Sequence, residues 1–250
     1  MSDAPKPPDA SPGKPVRTPL PRRFYKEATV GERDGAYALL LDGRGARTPA
    51  RKSLAVPSRA VAEALAAEWE AQGENIDPAA MPLTRIVNSA IDGVADQMEV
   101  VREEIVRYAG SDLICYRADT PSMLVERQDA AWSPLVAFAR QTLGARLALA
   151  EGVMHVDQDH SVLDAISLAI ADYDAVSLAA LHTVMTLTGS TIIALAVARG
   201  QLSAEEAWAA AHVDEDFQME QWGTDEMVLQ RRTARRREFD AAAFILRTAG

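Results

Sequence analysis

The sequence predicts an α+β fold, with a small β-rich amino-terminal domain followed by a larger all-helical carboxy-terminal domain. Three observations carry this reading. Between residues 24 and 56, Tyr37, Leu39 and Leu41 alternate with residues of the opposite face, and the dipeptides Asp34-Gly35 and Asp42-Gly43 punctuate the run. Alternation is the period of a half-buried strand, and both dipeptides accept the positive φ of a tight turn. After Pro57 the apolar period becomes helical and stays so almost to the end. Finally, 250 residues with 48% apolar and 25% charged composition supply a sizeable buried core.

The elements follow in chain order. Residues 1–21 hold seven of the 13 prolines and no apolar run, so they read as a disordered tail and not as a secretory signal. Residues 22–82 form the β-rich domain with one helix. Asp42-Gly43 turns a hairpin that returns through Arg44 to Thr48, and Pro49 and Pro57 end the strands. Val61, Leu65, Glu68 and Trp69 have helical spacing up to Gly73, which places Trp69 between that helix and the strands. Residues 83–250 form the helical domain, with helices expected over 83–109, 126–143, 161–171, 176–198, 203–221 and 224–246. Residues 178–198 carry no charge over about the length that spans a bilayer. They also contain His182, Thr183, Thr186, Thr188, Ser190 and Thr191, without aromatic flanks, so a central helix buried on most sides is expected. Ser203 with Glu206 makes a capping box, and Thr224 starts the last helix with Asp225 and Glu226 at its positive end.

Composition and motifs exclude several chemistries. A net charge of −10 opposes phosphate and argues against nucleic-acid binding. The single cysteine, Cys115, permits no disulfide within the chain and reads as a small buried hydrophobe. No phosphate-cradling glycine loop and no nucleophile elbow occur, and no cofactor is expected. His155, Asp157, Asp159 and His160 alternate in a way that could hold a divalent ion, which makes a metal-dependent hydrolase the alternative function. A zinc motif would need a second ligand set, so a solvated loop before a helix is the stronger reading. His182 is expected to be a hydrogen-bonded core histidine. His212 lies beside carboxylates that would raise its pKa. Arg231, Arg232, Arg235, Arg236 and Arg237 read as a solvated face, with RNA contact the weaker reading.

The most informative stretch is 214–226, in which six of thirteen residues are carboxylates and none is basic. Trp222 stands in it, followed by Gly223. An aromatic anchor ringed by charge suits protein docking. Gly223 breaks the chain between two helices, and helical spacing puts Glu215, Gln218 and Trp222 on one face beside a stripe of Phe217 and Gln221. The expected partner-binding residues are Asp214, Glu215, Asp216, Gln218, Gln221, Trp222, Gly223, Asp225 and Glu226.

Several runs together resemble one family. They are Arg23-Phe24-Tyr25-Lys26, Leu41-Asp42-Gly43-Arg44 with Arg47-Thr48-Pro49, Glu68-Trp69 with Gln72, and Met81-Pro82-Leu83-Thr84 with Asn88 and Ala90-Ile91-Asp92. They continue through Tyr116-Arg117-Ala118, Leu124-Val125-Glu126-Arg127-Gln128, Trp132 and Pro134-Leu135 to Asp216-Phe217-Gln218, Trp222-Gly223 and Glu226. In order and spacing the chain resembles the assembly chaperones of F-type ATP synthase that act on the α subunit of the catalytic head (the Atp-twelve family). The resemblance covers all but the proline-rich tail. It implies a non-enzymatic protein that binds the unassembled α subunit, prevents its aggregation and leaves when the β subunit takes its place. It also implies a functional surface at the acidic Trp-Gly stretch. Family members occur in mitochondria and related bacteria, and the amino terminus here reads as a bacterial cytoplasmic protein.

Overall fold

The computed structural model describes residues 19–152 and 154–248, so most of the proline-rich segment lies outside the described residues. Strand β1 (Ala28–Arg33) pairs antiparallel with β2 (Ala36–Leu41), Ala28 opposite Leu41 and Arg33 opposite Ala36. Asp34 and Gly35 turn between them with φ of 52° and 77°. The short strands β3 (Arg44–Gly45) and β4 (Ala55–Val56) both pair antiparallel with β2, which is therefore central. Leu39 and Leu41 point into the core as the alternation predicts. The Asp42 carboxylate accepts the backbone N–H groups of Lys26 and Glu27 at 2.9 and 3.1 Å, which holds its pKa below the usual carboxylate range.

Helix α1 (Arg59–Glu70) starts at Ser58, whose hydroxyl accepts the Val61 N–H, and buries Val61, Ala62, Leu65 and Ala66. Its end forms a polar joint. The Tyr25 hydroxyl donates to the Trp69 carbonyl at 2.6 Å, and the Trp69 indole donates to Thr84 Oγ1 at 3.0 Å. The Glu68 carboxylate accepts from Leu83 N, Thr84 N and Thr84 Oγ1 at 2.9, 2.8 and 2.6 Å. Helix α2 (Pro82–Asp92) begins with Met81, which offers no side-chain cap, so Glu68 satisfies its first donors from outside. At the other end of α2, Asp92 accepts the Thr48 hydroxyl at 2.6 Å and the Ala50 N–H at 3.0 Å. Both ends of α2 are thus fastened to the β-rich part.

The helix expected over 83–109 is two. The chain leaves α2 at Gly93, makes a short 3-10 turn and restarts as α3 (Met98–Ala109). A parallel pair of two-residue strands, β5 (Tyr116–Arg117) and β6 (Ala150–Glu151), is too short to give a periodic signal. Helix α4 (Ser122–Phe138) begins four residues before the expected 126 and ends in a π-helical turn. Helix α5 (His160–Ala169) follows, capped by Asp159.

The long apolar segment is also divided, into α6 (Ala175–Thr188) and α7 (Thr191–Ala198). Gly189 takes φ of 72°, which stops α6, and Ser190 caps the new helix through Ile193 N. The expectation of a helical segment buried on most sides holds: every α7 residue from Thr191 to Val197 is buried. Among the described residues no helix is long and apolar enough to cross a membrane. The fully buried Asp112 accepts Ile192 N at the start of α7 and Ile114 N; burial pushes its pKa up to about 6. Cys115 is buried beside it, and burial pushes its thiol up to about 12. One apolar cluster runs from Leu39, Val56 and Leu65 through Ile86, Ile105, Leu181 and Ile193 to Phe239.

Candidate partner-binding surface

The acidic stretch lies on α9 (Val213–Trp222) and the start of α10 (Glu226–Thr248), and α8 (Ala204–Ala211) leads into it. The capping box forms as predicted, with Glu206 N donating to Ser203 Oγ and Ser203 N to Glu206 Oε2. The single helix expected over 203–221 instead breaks at His212. His212 Nδ1 donates to the Trp208 carbonyl at 2.8 Å, while its backbone N–H moves to Ala209. The side chain has taken the acceptor that the α-helical bond would use. The imidazole is buried and stacks on Trp208, 3.9 Å between centroids. Burial is the largest influence and lowers its pKa, against the opposite pull of the Trp208 carbonyl and Glu215. The expectation that neighbouring carboxylates raise it is overturned, because desolvation of the imidazolium wins.

Helix α9 is gripped from two sides. Gln128 on α4 is buried; its Nε2 donates to Asp214 Oδ1 at 2.7 Å and its Oε1 accepts Ala118 N at 2.7 Å. Arg127 bonds Glu220 at 2.7 Å and lays its guanidinium 5.3 Å from the ring centre of the buried Phe217. The Trp132 indole donates to the Ala210 carbonyl at 2.7 Å. From the other side, Arg232 on α10 reaches Glu215 at 3.3 Å and also pairs with Asp216. Asp214, Glu215 and Asp216 stand in the first turn of α9, where the helix dipole favours them. Their carboxylates are engaged within the chain.

Beyond Asp216, Phe217 is buried and Met219 half-buried, and the other residues of the stretch are open to solvent. Gln218, Gln221, Trp222, Gly223, Asp225 and Glu226 are exposed, and Trp222 is 78% exposed. Gly223 has φ of 76° and ψ of −176°, a region essentially reserved for glycine, so it ends α9 and turns the chain. Asp225, not Thr224, caps α10, its Oδ1 accepting Val228 N at 2.8 Å. Met227 and Leu229 are exposed in the first turns of that helix. The α9–α10 joint therefore exposes an indole at the end of α9 and two apolar side chains and two carboxylates at the start of α10, while Gln128, Arg127 and Arg232 hold α9.

The other candidates resolve differently. In the basic run, Arg232 serves α9, Arg235 donates to the Leu187 carbonyl, and Arg236 pairs with Glu205 and Asp240. Arg231, Arg235 and Arg237 form the solvated face of that run, while Arg232 and Arg236 are half-buried. His155 bonds Asp157 at 3.0 Å and lies 3.1 Å from the Tyr116 hydroxyl, but Asp159 is committed to capping α5 and His160 is that helix's first residue. Among the described residues no three His, Cys, Asp or Glu side chains converge on a metal position, and the hydrolase reading is not supported. His182 is half-buried in a groove wall, with Nε2 3.5 Å from Glu104, and is not a core histidine.

Comparison with known proteins places this architecture. The family described as ATP12 chaperone protein matches residues 22–140. The crystal structure of Atp12 from Paracoccus denitrificans superposes with a TM-score of 0.85 at 41% identity, covering 92% of this chain and 99% of that one. The chain belongs to the ATP12 chaperone family. An Agrobacterium tumefaciens crystal structure is similar at 47% identity and a TM-score of 0.89, over 96% of this chain and 93% of its own. The mitochondrial protein atp12 of Schizosaccharomyces pombe is 25% identical over 222 residues, 84% of this chain and 76% of that protein. The ATP12 family consists of chaperones of ATP synthase assembly, and this member is a chaperone and not an enzyme. Many of the residues that carry the resemblance now have a physical task. Asp42 ties Lys26 and Glu27 to the end of β2, Glu68, Trp69, Thr84 and Asp92 fasten the β-rich part to α2, and Arg127, Gln128 and Trp132 set α8 and α9. Asn88 and Trp222 are left without such a task.

Proposed function

We propose that this ATP12-family chaperone binds the unassembled α subunit of the F-type ATP synthase catalytic head, prevents its aggregation and yields it to the β subunit. The cytoplasm of a bacterium is the compartment proposed. An orphan subunit exposes an apolar interface that is an aggregation hazard until it is covered. The proposed contact is the α9–α10 joint. The observation that carries this reading is Trp222, 78% exposed on a helix that Arg127, Gln128 and Arg232 hold in place. A large aromatic presented on a rigid support loses little entropy on binding, which is what an interface anchor requires.

We assign the expected residues two roles. Gln218, Gln221, Trp222, Gly223, Asp225 and Glu226 are proposed to meet the partner. Asp214, Glu215 and Asp216 are proposed to act through the position of α9, since their carboxylates already have partners. The test is association of the purified full chain with isolated α subunit, at low and at high salt. Binding that weakens with salt supports a contact bordered by Asp225 and Glu226. Absence of binding at low salt would refute the proposal.

A further inference from the structure

Three of the runs that carry the family resemblance meet at a place far from the α9–α10 joint. Phe24 and Tyr25, the turn after β2 with Arg44 and Arg47, and Trp69 line a pocket of about 570 Å³ on the β-rich part. Phe24, Tyr25 and Trp69 form a continuous aromatic wall, with successive ring centres 5.4 and 5.6 Å apart. Tyr25 and Trp69 are fixed from behind by their bonds to the Trp69 carbonyl and to Thr84, while Phe24 is 71% exposed. The rim is basic. Arg23 is engaged by Glu70 and neighbouring carbonyls, but Arg44 and Arg47 are exposed and make no ion pair among the described residues. The Asp42 carboxylate in the lining already holds two backbone N–H groups. Residues 19–57 carry eight basic and four acidic residues, in a chain of net charge −10. A segment that fits this pocket carries a large apolar side chain with carboxylates beside it.

The chain itself displays such a segment. At the α9–α10 joint the exposed Trp222 is followed by Asp225 and Glu226, both open to solvent and without a cationic partner among the described residues. An indole packs edge-on or offset against an aromatic wall, and arginine meets a carboxylate through two parallel bonds. Pocket and joint do not meet within one chain. Trp69 bonds Thr84 on one side of α2, whereas Arg85 turns to Glu238 of α10 on another. Glu238 lies twelve residues along α10 from Glu226, about 18 Å at the rise of a helix. Helix α2 and that length of α10 separate the two surfaces, so only different copies can bring them together.

We infer that this pocket receives the α9–α10 joint of a second copy of the chain, Trp222 entering against Phe24 and Trp69 while Asp225 and Glu226 pair with Arg44 and Arg47. The contact joins two different patches, so it extends to further copies unless a ring closes. It is smaller than a standard interface and correspondingly weak, with a Kd of about 100 μM order. Because it covers Trp222, it competes with a client held at the joint. That consequence rests on the function proposed above; the self-contact does not.

The test is sedimentation velocity of the full chain at low salt, from about 10 μM to about 1 mM, where the mean mass should rise with concentration. Trp222→Ala, and separately the pair Phe24→Ala with Arg47→Glu, should each weaken self-association at least about tenfold. All three side chains are exposed, and unchanged urea unfolding would show that the variants keep the fold. Mixing the joint variant with the pocket variant leaves one intact joint and one intact pocket, so the mixture should form one-to-one dimers and nothing larger. A chain that stays monomeric throughout would overturn the inference, as would a pocket variant that self-associates like the parent or a mixture that does not associate. Client binding is measured on the pocket variant, whose joint is intact. Binding of isolated α subunit beside a monomeric parent chain would sink this inference and leave the client reading; self-association without client binding would do the reverse.

Discussion

Replacing Trp222 by alanine separates a contact role from a supporting one. The side chain is 78% exposed. For a residue of roughly 250 Å², that leaves about 200 Å² available to a partner. Full burial at about 25 cal/mol per Å² is worth about 5 kcal/mol gross. Part of this is offset by desolvation and ordering at the interface, so Trp222→Ala should weaken binding of the isolated α subunit by about 2–4 kcal/mol. That is about 30- to 1,000-fold in Kd. The roughly 50 Å² already covered in the free chain limits the stability cost to about 1 kcal/mol. Trp132, fully buried, is the internal contrast, where truncation should cost about 3–5 kcal/mol. The assay pairs calorimetric Kd for the α subunit with urea unfolding of the free chain. An unchanged Kd would refute the anchor role, and a stability loss as large as that of Trp132→Ala would show that Trp222 supports the fold.

Three further outcomes test the supports. Arg232→Ala and Asp216→Ala should each destabilise the chain, with a double-mutant coupling of about 1 kcal/mol in urea unfolding; zero coupling would mean that the pair does not hold α9. Glu68→Ala leaves the N–H groups of Leu83 and Thr84 without their acceptor and should cost about 2–3 kcal/mol, so a change below about 0.5 kcal/mol would remove Glu68 as the cap of α2. His212 has a lowered pKa in the folded chain, so the unfolded chain binds its proton first as pH falls. The stability that His212 gives relative to His212→Gln should therefore be complete above about pH 6.5 and shrink below it, and a pH-independent difference would contradict its burial as a neutral ring.

The sequence was most legible where one physical rule acted locally. Alternation and the Asp-Gly turns marked β1 and β2, and the Ser203–Glu206 pair marked the start of α8. Helix boundaries were misread where a side chain competed with the backbone. At His212 the imidazole takes the Trp208 carbonyl, and nothing in local sequence distinguishes that from a continuing helix. At Gly189 the signal was present, since a glycine followed by Ser190 and Thr191 is a stop beside a start, but uninterrupted apolarity outweighed it. The acidic stretch shows the same division. Its composition announced an acidic stretch, and Gly223 ends α9 where the sequence placed the break.

By itself the sequence determined the class of fold, the order of its two parts, the absence of familiar catalytic motifs and the likeness to a family of assembly chaperones. These depend on residue type and spacing along the chain. Only the tertiary structure decided which carboxylates are held by side chains of other helices. Asp214, Glu215 and Asp216 look like Asp225 and Glu226 in sequence, yet Gln128 and Arg232, 86 and 16 residues from their partners Asp214 and Asp216, reach the first group and not the second. A charge's role depends on the distance to its nearest counterpart, and in a folded chain that distance is set by packing.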